Sequence, residues 1–424
     1  MKLNLNRFRT VACLVDRLIG NAVFITLTLI FLLFILTSTA CSSAGKDPEI
    51  QTGSTVVDQS TPVQVTPSLT VMLTDTLAPM GRSTPTITKI PTATTSPLPT
   101  STSTISPTPD PYEDYTIEHL ANRSYGREGE LVIEGTLAEN SYFTRYEFSY
   151  PSDGLTIYGF MNVPKVDETT SSSAAGRSSN AAADVSDRAN TDAVPVVIAL
   201  HGYIDPAIYN TIDYTTRYAD TLARAGYLVL HPNLRNYPPS DDGDNLFRVG
   251  MAIDVLNLIT LVKDGAGESG PLGMADTEAI GLWGHSTGGG ISTRVMTASP
   301  DVGAVVLYGA MSGDDQKNFE RIYSYFSNGQ RGLEELAAPP DAFQRISPVN
   351  YLDRVQAAVS IHHGKADEEV PLAWSLETCR RLRDLDVQVE CFTYDDQPHT
   401  FYGEDDALFM LRMVEFYNRV LRGE

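Results

Sequence analysis

Gly284-His285-Ser286-Thr287-Gly288 spells G-x-S-x-G, a frame in which a serine can serve as a nucleophile. The apolar run just before it, residues 279–283, reads as a buried strand, and the Gly-rich stretch after it opens a helix. A serine between the two sits on a sharp turn, and the glycines two residues to either side leave room where the backbone doubles back. The helix start supplies free N–H groups and a partial positive charge to meet developing negative charge.

A serine nucleophile needs a base, and the base needs an orienting acid. Downstream, His363-Gly-Lys-Ala-Asp367-Glu-Glu-Val-Pro371 lies just past an apolar run, which puts Asp367 in a loop at a strand's C-terminal end. Asp396-Gln-Pro-His399 follows the next strand and places His399 on the same edge, where open parallel sheets collect their chemistry. Taken singly, Ser286 reads as a helix N-cap, Asp367 as a loop residue with Glu368 and Glu369 as rival carboxylates, and His399 as a surface histidine. Their order and their placement at strand ends favour a Ser286–Asp367–His399 triad. Of the other histidines, His285 should point away from the reacting centre, His201 should order its loop and His362 should face the sheet. His119 and His231 carry no supporting motif.

Acyl chemistry also needs two preorganised N–H donors for an oxyanion. The backbone of Thr287, next after the serine, is one. The loop His201-Gly202-Tyr203, which follows another apolar run, offers the Tyr203 N–H as the second.

The elements that must hold these residues form an α/β pattern. Phe143–Tyr150 alternates aromatics, Ser152-Asp153-Gly154 is a turn, and Leu155–Val163 alternates again, so this stretch predicts an antiparallel hairpin. The run Val194–Leu200 has the continuous apolar character of a central parallel strand. Thereafter strands at 226–230, 279–283, 304–307, 357–362 and 387–394 alternate with helices at 211–225, 249–263 (amphipathic), 287–298, 373–383 and 407–421. Residues 313–346 are polar, aromatic and helix-biased, and predict a small cap in which Phe319, Tyr323, Tyr325 and Phe326 either choose the substrate or simply pack. The expected fold is a doubly wound, mostly parallel sheet with an N-terminal antiparallel hairpin and a small helical cap, over residues 113–424.

The remainder of the 424 residues predicts an address and a spacer. Lys2, Arg7, Arg9 and Arg17 precede an apolar run from Leu18 to Leu36, and small residues follow: an export signal over 1–41. Ser38-Thr-Ala-Cys41 resembles a bacterial lipobox with Cys41 lipidated, although Ser38 stands where leucine is usual; the alternative is an uncleaved transmembrane anchor. Either way the expected location is outside the cytoplasm, tethered to a membrane. Residues 42–112 are rich in Thr, Ser and Pro, and 169–191 in Ser, Ala, Asn and Asp, compositions that predict a disordered linker and a disordered insertion. A formal net charge of −22 argues against nucleic-acid binding. The cysteines have no zinc-site spacing, and Cys379 and Cys391, on a helix and the following strand, are either a disulfide or two buried thiols. Asp241-Asp-Gly-Asp244 lacks the ligand spacing of a calcium loop and reads as a solvated turn, so no metal or organic cofactor is expected.

Ile280-Gly-Leu-Trp-Gly-His-Ser-Thr-Gly-Gly289, together with Ser347–Asp353, His363–Pro371 and His399, resembles the catalytic domain of the prolyl oligopeptidase (S9) family, and through it the dienelactone-hydrolase-like and acetyl-xylan-esterase-like enzymes of the α/β-hydrolase superfamily. The resemblance spans about residues 143–424. It implies Ser286 as nucleophile, Asp367 as acid and His399 as base. Two departures stand out: only about thirty structured residues precede the domain where the family carries a propeller, and Asn233-Leu-Arg-Asn-Tyr-Pro-Pro replaces a frequent Arg-Gly pair. The implied activity is hydrolysis of a peptide or amide bond, with a carboxylesterase as the alternative and an inactive binding protein on a hydrolase fold as the third reading.

Overall fold

A computed structural model describes residues 110–126, 129–165 and 193–424. The expected signal with Cys41, the insertion at 169–191 and all but the last three residues of the Thr/Ser/Pro-rich linker lie outside them. Among the described residues no helix is long and apolar enough to cross a membrane.

The order of elements is α1 (Ile117–Asn122), β1 (Val132–Glu139), β2 (Phe143–Ser152), β3 (Leu155–Pro164), β4 (Val194–Leu200), α2 (Thr216–Arg224) and β5 (Leu228–Pro232), then α3 (Val249–Gly265), β6 (Ala275–His285), α4 (Thr287–Ala298), β7 (Ala304–Tyr308) and α5 (Asp315–Arg321). There follow α6 (Leu333–Leu336), α7 (Pro340–Ile346), β8 (Ala358–Gly364), α8 (Leu372–Asp384), β9 (Val389–Tyr394) and α9 (Gly403–Tyr417). The strands form one sheet in the order β1-β2-β3-β5-β4-β6-β7-β8-β9. From β5 to β9 every pairing is parallel, with Ala199 opposite Trp283, Trp283 opposite Val306 and Leu307 opposite Ile361. Every residue of β4, β5, β7 and β8 is buried, because helices cover both faces of the sheet; this is why β4 and β7 are unbroken apolar runs, while β5 and β8 also bury His231, Ser360, His362 and His363.

The N-terminal part is larger than a hairpin. β1 adds a third antiparallel strand outside β2, and β3 continues the sheet by pairing antiparallel with β5. α1 starts at Thr116, whose Oγ1 accepts the His119 N–H, and buries Ile117 and Leu120 completely. The expected amphipathic helix at 249–263 is in fact buried on nearly all sides: 13 of the 17 residues of α3 are inaccessible, since β2, β6 and α4 surround it. Its polar positions are satisfied by distant residues. Asn257 donates to Ser152 Oγ and accepts the Gly126 N–H, while Asp254 binds Arg235. The carboxylates of the 241–244 turn likewise accept bonds, Asp241 from the Thr156 N–H and Asp244 from the Tyr115 hydroxyl.

Cys379 on α8 and Cys391 on β9 are joined by a disulfide, with their Cα atoms 6.4 Å apart.

Candidate active site

Ser286 sits between the end of β6 and the first residue of α4 with φ 55° and ψ −116°. A non-glycine residue held there costs roughly 1–3 kcal/mol, so its surroundings must impose the conformation. They do so by hydrogen bonds on both sides: the Ser286 N–H donates to Tyr308 O at 3.0 Å, and its carbonyl accepts the N–H groups of Gly290 (3.2 Å) and Met311 (2.9 Å). The backbones that cross beneath it leave no space for side chains. A Cβ on Gly284 would stand 2.4 Å from Gly288 O, and one on Gly288 would stand 2.2 Å from Leu200 O.

Asp367 and His399 come from the loops after β8 and β9. His399 Nδ1 lies 2.7 Å from Asp367 Oδ2, and that carboxylate is fully buried. Its other oxygen accepts the N–H groups of Glu369 (2.9 Å) and Val370 (2.8 Å). A second histidine supports it: His363 takes the Ser375 hydroxyl on Nδ1 at 2.7 Å and turns Nε2 toward Asp367 Oδ2 at 3.1 Å and Val370 O at 3.0 Å. Burial alone would push the Asp367 carboxyl up. The hydrogen bonds from His363, His399 and the Val370 N–H outweigh it and hold the group well below the usual carboxylate range, so it is ionised at working pH. Of the rival carboxylates, Glu369 is near the site but exposed, with Oε2 3.7 Å from His399 Nε2. Glu368 meets the cap instead, its carbonyl accepting Arg321.

Ser286 and His399 open onto one cavity of about 380 Å³, whose wall also includes Tyr203, Thr287 and Glu369. The Tyr203 loop lies directly over the serine: a Cβ on Gly202 would be 3.1 Å from Ser286 Cβ. The Gly202 N–H is already used, donating to the Tyr214 hydroxyl at 2.6 Å. The next N–H, that of Tyr203, has no acceptor among the described residues. On the other side, the Ser286 side chain does not cap α4, and Thr287, the first residue of that helix, lines the same cavity.

His285 does not turn away from the site as expected. It is buried against the His399 ring, with centroids 4.6 Å apart, and both its nitrogens are engaged. Nδ1 accepts from the Tyr214 hydroxyl (3.0 Å) and Nε2 donates to the His399 carbonyl (3.0 Å). Burial, and then the neighbouring His399, pull its pKa down to about 3, which leaves it neutral and suits this donor–acceptor pattern. A relay thus runs Gly202 N–H, Tyr214 O–H, His285, His399 backbone, and joins the Tyr203 loop to the His399 loop. Tyr214→Phe leaves a buried N–H and a buried ring nitrogen without partners and is expected to lower stability by about 1–3 kcal/mol, measured by urea unfolding.

The remaining histidines are elsewhere. His201 bridges Gly202 O and Asn233 O and orders its loop, His362 is buried in the sheet between Ser360 and Tyr394, His231 bonds Thr215, and His119 lies 3.7 Å from Asp114. Of the four cap aromatics only Phe326 reaches the cavity; Phe319 is buried and packs edge-on to Phe247 at 5.8 Å. Sequence reasoning passed over Tyr214, His363 as a second partner for Asp367, and two arginines in the cavity wall, Arg248 and Arg331.

Residues 264–424 match the profile of the prolyl oligopeptidase family. The chain has the α/β-hydrolase fold, and over those residues it is similar to the prolyl oligopeptidase family. Among solved structures it is similar to acetyl xylan esterase 1 from a Thermoanaerobacterium species, at 17% identity and a TM-score of 0.51, over 73% of this chain and 95% of that one. It is also similar to the acylaminoacyl peptidase of Pyrococcus horikoshii (20% identity, TM-score 0.48) over 67% of this chain and 43% of that one. A puromycin-hydrolysing peptidase of Mycobacterium tuberculosis matches at 18% identity and a TM-score of 0.49, over 67% and 40%. The chain therefore spans less than half the length of either peptidase.

Proposed function

We propose that this α/β-hydrolase cleaves ester or amide bonds through an acyl-enzyme, with Ser286 as nucleophile, His399 as general base and Asp367 as the acid that orients it. The observation that carries the reading is the 2.7 Å pair of His399 Nδ1 and Asp367 Oδ2 beside a serine held at φ 55°, with His399 and Ser286 on one cavity. Ser286 Oγ attacks the carbonyl while His399 Nε2 takes its proton, and Asp367 holds the Nδ1–H tautomer and stabilises the imidazolium. The amides of Thr287 and Tyr203 receive the oxyanion. His399 then protonates the leaving group, and water repeats the sequence to release the acid. The buried, multiply bonded Asp367 suits this task because it stays charged beside a histidine that becomes charged.

We further propose that the hydrolase works outside the cytoplasm, held to a membrane by lipidated Cys41 or by an uncleaved anchor, on the basis of the basic, then apolar, then Ala40-Cys41 N-terminus. The active-site reading is tested by a fluorophosphonate probe, expected to label Ser286, and by turnover of a 4-nitrophenyl ester against a chromogenic dipeptide amide. The ratio of the two rates says which bond is the natural one. Absence of both labelling and turnover overturns the reading in favour of a binding protein on a hydrolase fold.

A further inference from the structure

Arg248 is an unusual residue to find in the wall of this cavity. It stands in the left-handed region at φ 58°, directly after Phe247 at φ 53°, and the two together turn the chain into α3. Two consecutive strained residues fix where its side chain leaves the backbone. Among the described residues it has no carboxylate within ion-pair reach and no hydrogen bond; its recorded contact is the Phe319 ring, 5.4 Å from Cζ. The carboxylate that could have neutralised it, Asp315, is occupied by Arg294 at 2.5 Å. None of its nitrogens is sealed away from solvent without a partner, so the guanidinium opens onto the cavity. A second arginine, Arg331, is exposed at the same cavity and lies over the Tyr203 ring at 4.7 Å, again without an acidic partner. In a chain of net charge −22, with 53 acidic residues available to pair, two arginines left open on one cavity are a selective feature.

We infer that Arg248, assisted by Arg331, binds a carboxylate on the acyl part of the substrate, so that the natural substrate is an ester or amide of a dicarboxylic or otherwise acidic acyl group. This rests on the serine-hydrolase reading above. The end of the substrate is chosen by charge. The leaving group must lie against His399 Nε2, which protonates it, and there Glu369 stands 3.7 Å away and repels an anion. Arg248 instead backs onto Thr287, Gly290 and Ile291 in the first turn of α4, beside the oxyanion donor and the acyl group that stays on Ser286. Guanidinium matches carboxylate by a planar fork of donors, and a partly enclosed pair is stronger than one in open water. Burial lowers the Arg248 pKa, with Asp315, Tyr237 and Glu335 acting against that shift. An arginine remains a cation throughout the working range.

The test compares 4-nitrophenyl hemiesters of glutaric to suberic acid with the uncharged alkanoates of equal chain length. The corresponding 4-nitroanilides replace them if amides are the bonds turned over, and rates are corrected for spontaneous hydrolysis. The best hemiester is expected to exceed its alkanoate in kcat/KM by about tenfold or more, mainly through KM. In Arg248→Gln that ratio falls to about one, Arg248→Lys keeps part of it, and Arg331→Gln lowers it severalfold in a salt-sensitive way because that residue is exposed. A wild-type ratio of one or less across the series overturns the inference, as does an unchanged ratio in Arg248→Gln. Labelling of Ser286 with turnover of the alkanoates, but without the preference, refutes the carboxylate site and leaves the hydrolase reading standing.

Discussion

Ser286→Ala is expected to lower kcat by about 10⁴-fold or more while the protein unfolds at the same denaturant concentration as the wild type. Removing a nucleophile from a triad costs about as much as removing the whole triad, because the remaining members have nothing to activate. What survives is the slow attack of water on a carbonyl polarised by the Thr287 and Tyr203 amides. Stability should hold because the turn at Ser286 is fixed by its backbone, through Tyr308 O, Gly290 N and Met311 N, and its side chain does not cap α4. Alanine carries a Cβ as serine does and meets the same φ of 55° with the same strain. The measurement pairs steady-state turnover with urea unfolding. Turnover above about a hundredth of wild type, in a variant that unfolds normally, would remove Ser286 from the nucleophile's role.

That Ser286, Asp367 and His399 could be picked out beforehand has a physical reason. Ser286 and Asp367 follow runs that are buried parallel strands and His399 follows the half-buried edge strand β9, and the C-terminal ends of parallel strands share one edge. Sequence order therefore stands in for spatial proximity at this edge. The same logic fails where position depends on partners far away in the chain. β1 is mostly exposed and pairs with β2 through two irregularities, so Val132–Glu139 lacks the alternation that marks a half-buried strand. α3 carries Asp254 and Asn257, which look like a solvent face until Arg235, Ser152 and Gly126 arrive to satisfy them. Tyr214 joins the site only because its loop folds back over His285, and no local pattern announces that. Arg248 is hidden for a related reason. Its exposure to the cavity follows from two left-handed residues in succession, and neither Phe nor Arg signals that conformation as glycine would.

The second large effect belongs to stability. Asp254→Ala is expected to destabilise the protein by about 3–5 kcal/mol, because it leaves the Arg235 guanidinium buried without its counter-charge. The carboxylate is fully buried and Arg235 is 6% exposed. Asp254 Oδ1 accepts from Arg235 Nη2 (2.8 Å) and Ser152 Oγ (2.7 Å), and Oδ2 accepts the Arg235 backbone N–H at 2.8 Å. Arg235 Nη1 goes on to Asp244 O at 2.9 Å. One carboxylate on α3 thereby ties down the β2–β3 turn and the segment that leads from β5 to Arg248. Its removal strands several donors at once. Replacing both partners by apolar residues, Arg235→Met with Asp254→Leu, removes the uncompensated charge and should recover a large part of the loss, since a buried ion pair gains little over a well-packed apolar pair. Urea unfolding of the two single variants and the double variant gives the coupling energy directly. A coupling below about 0.5 kcal/mol would mean that the pair is not what holds these segments together. If the double variant regains stability yet loses discrimination among acyl groups, then the pair's contribution lies in aiming the segment that carries Arg248, a role that no apolar pair of the same volume supplies.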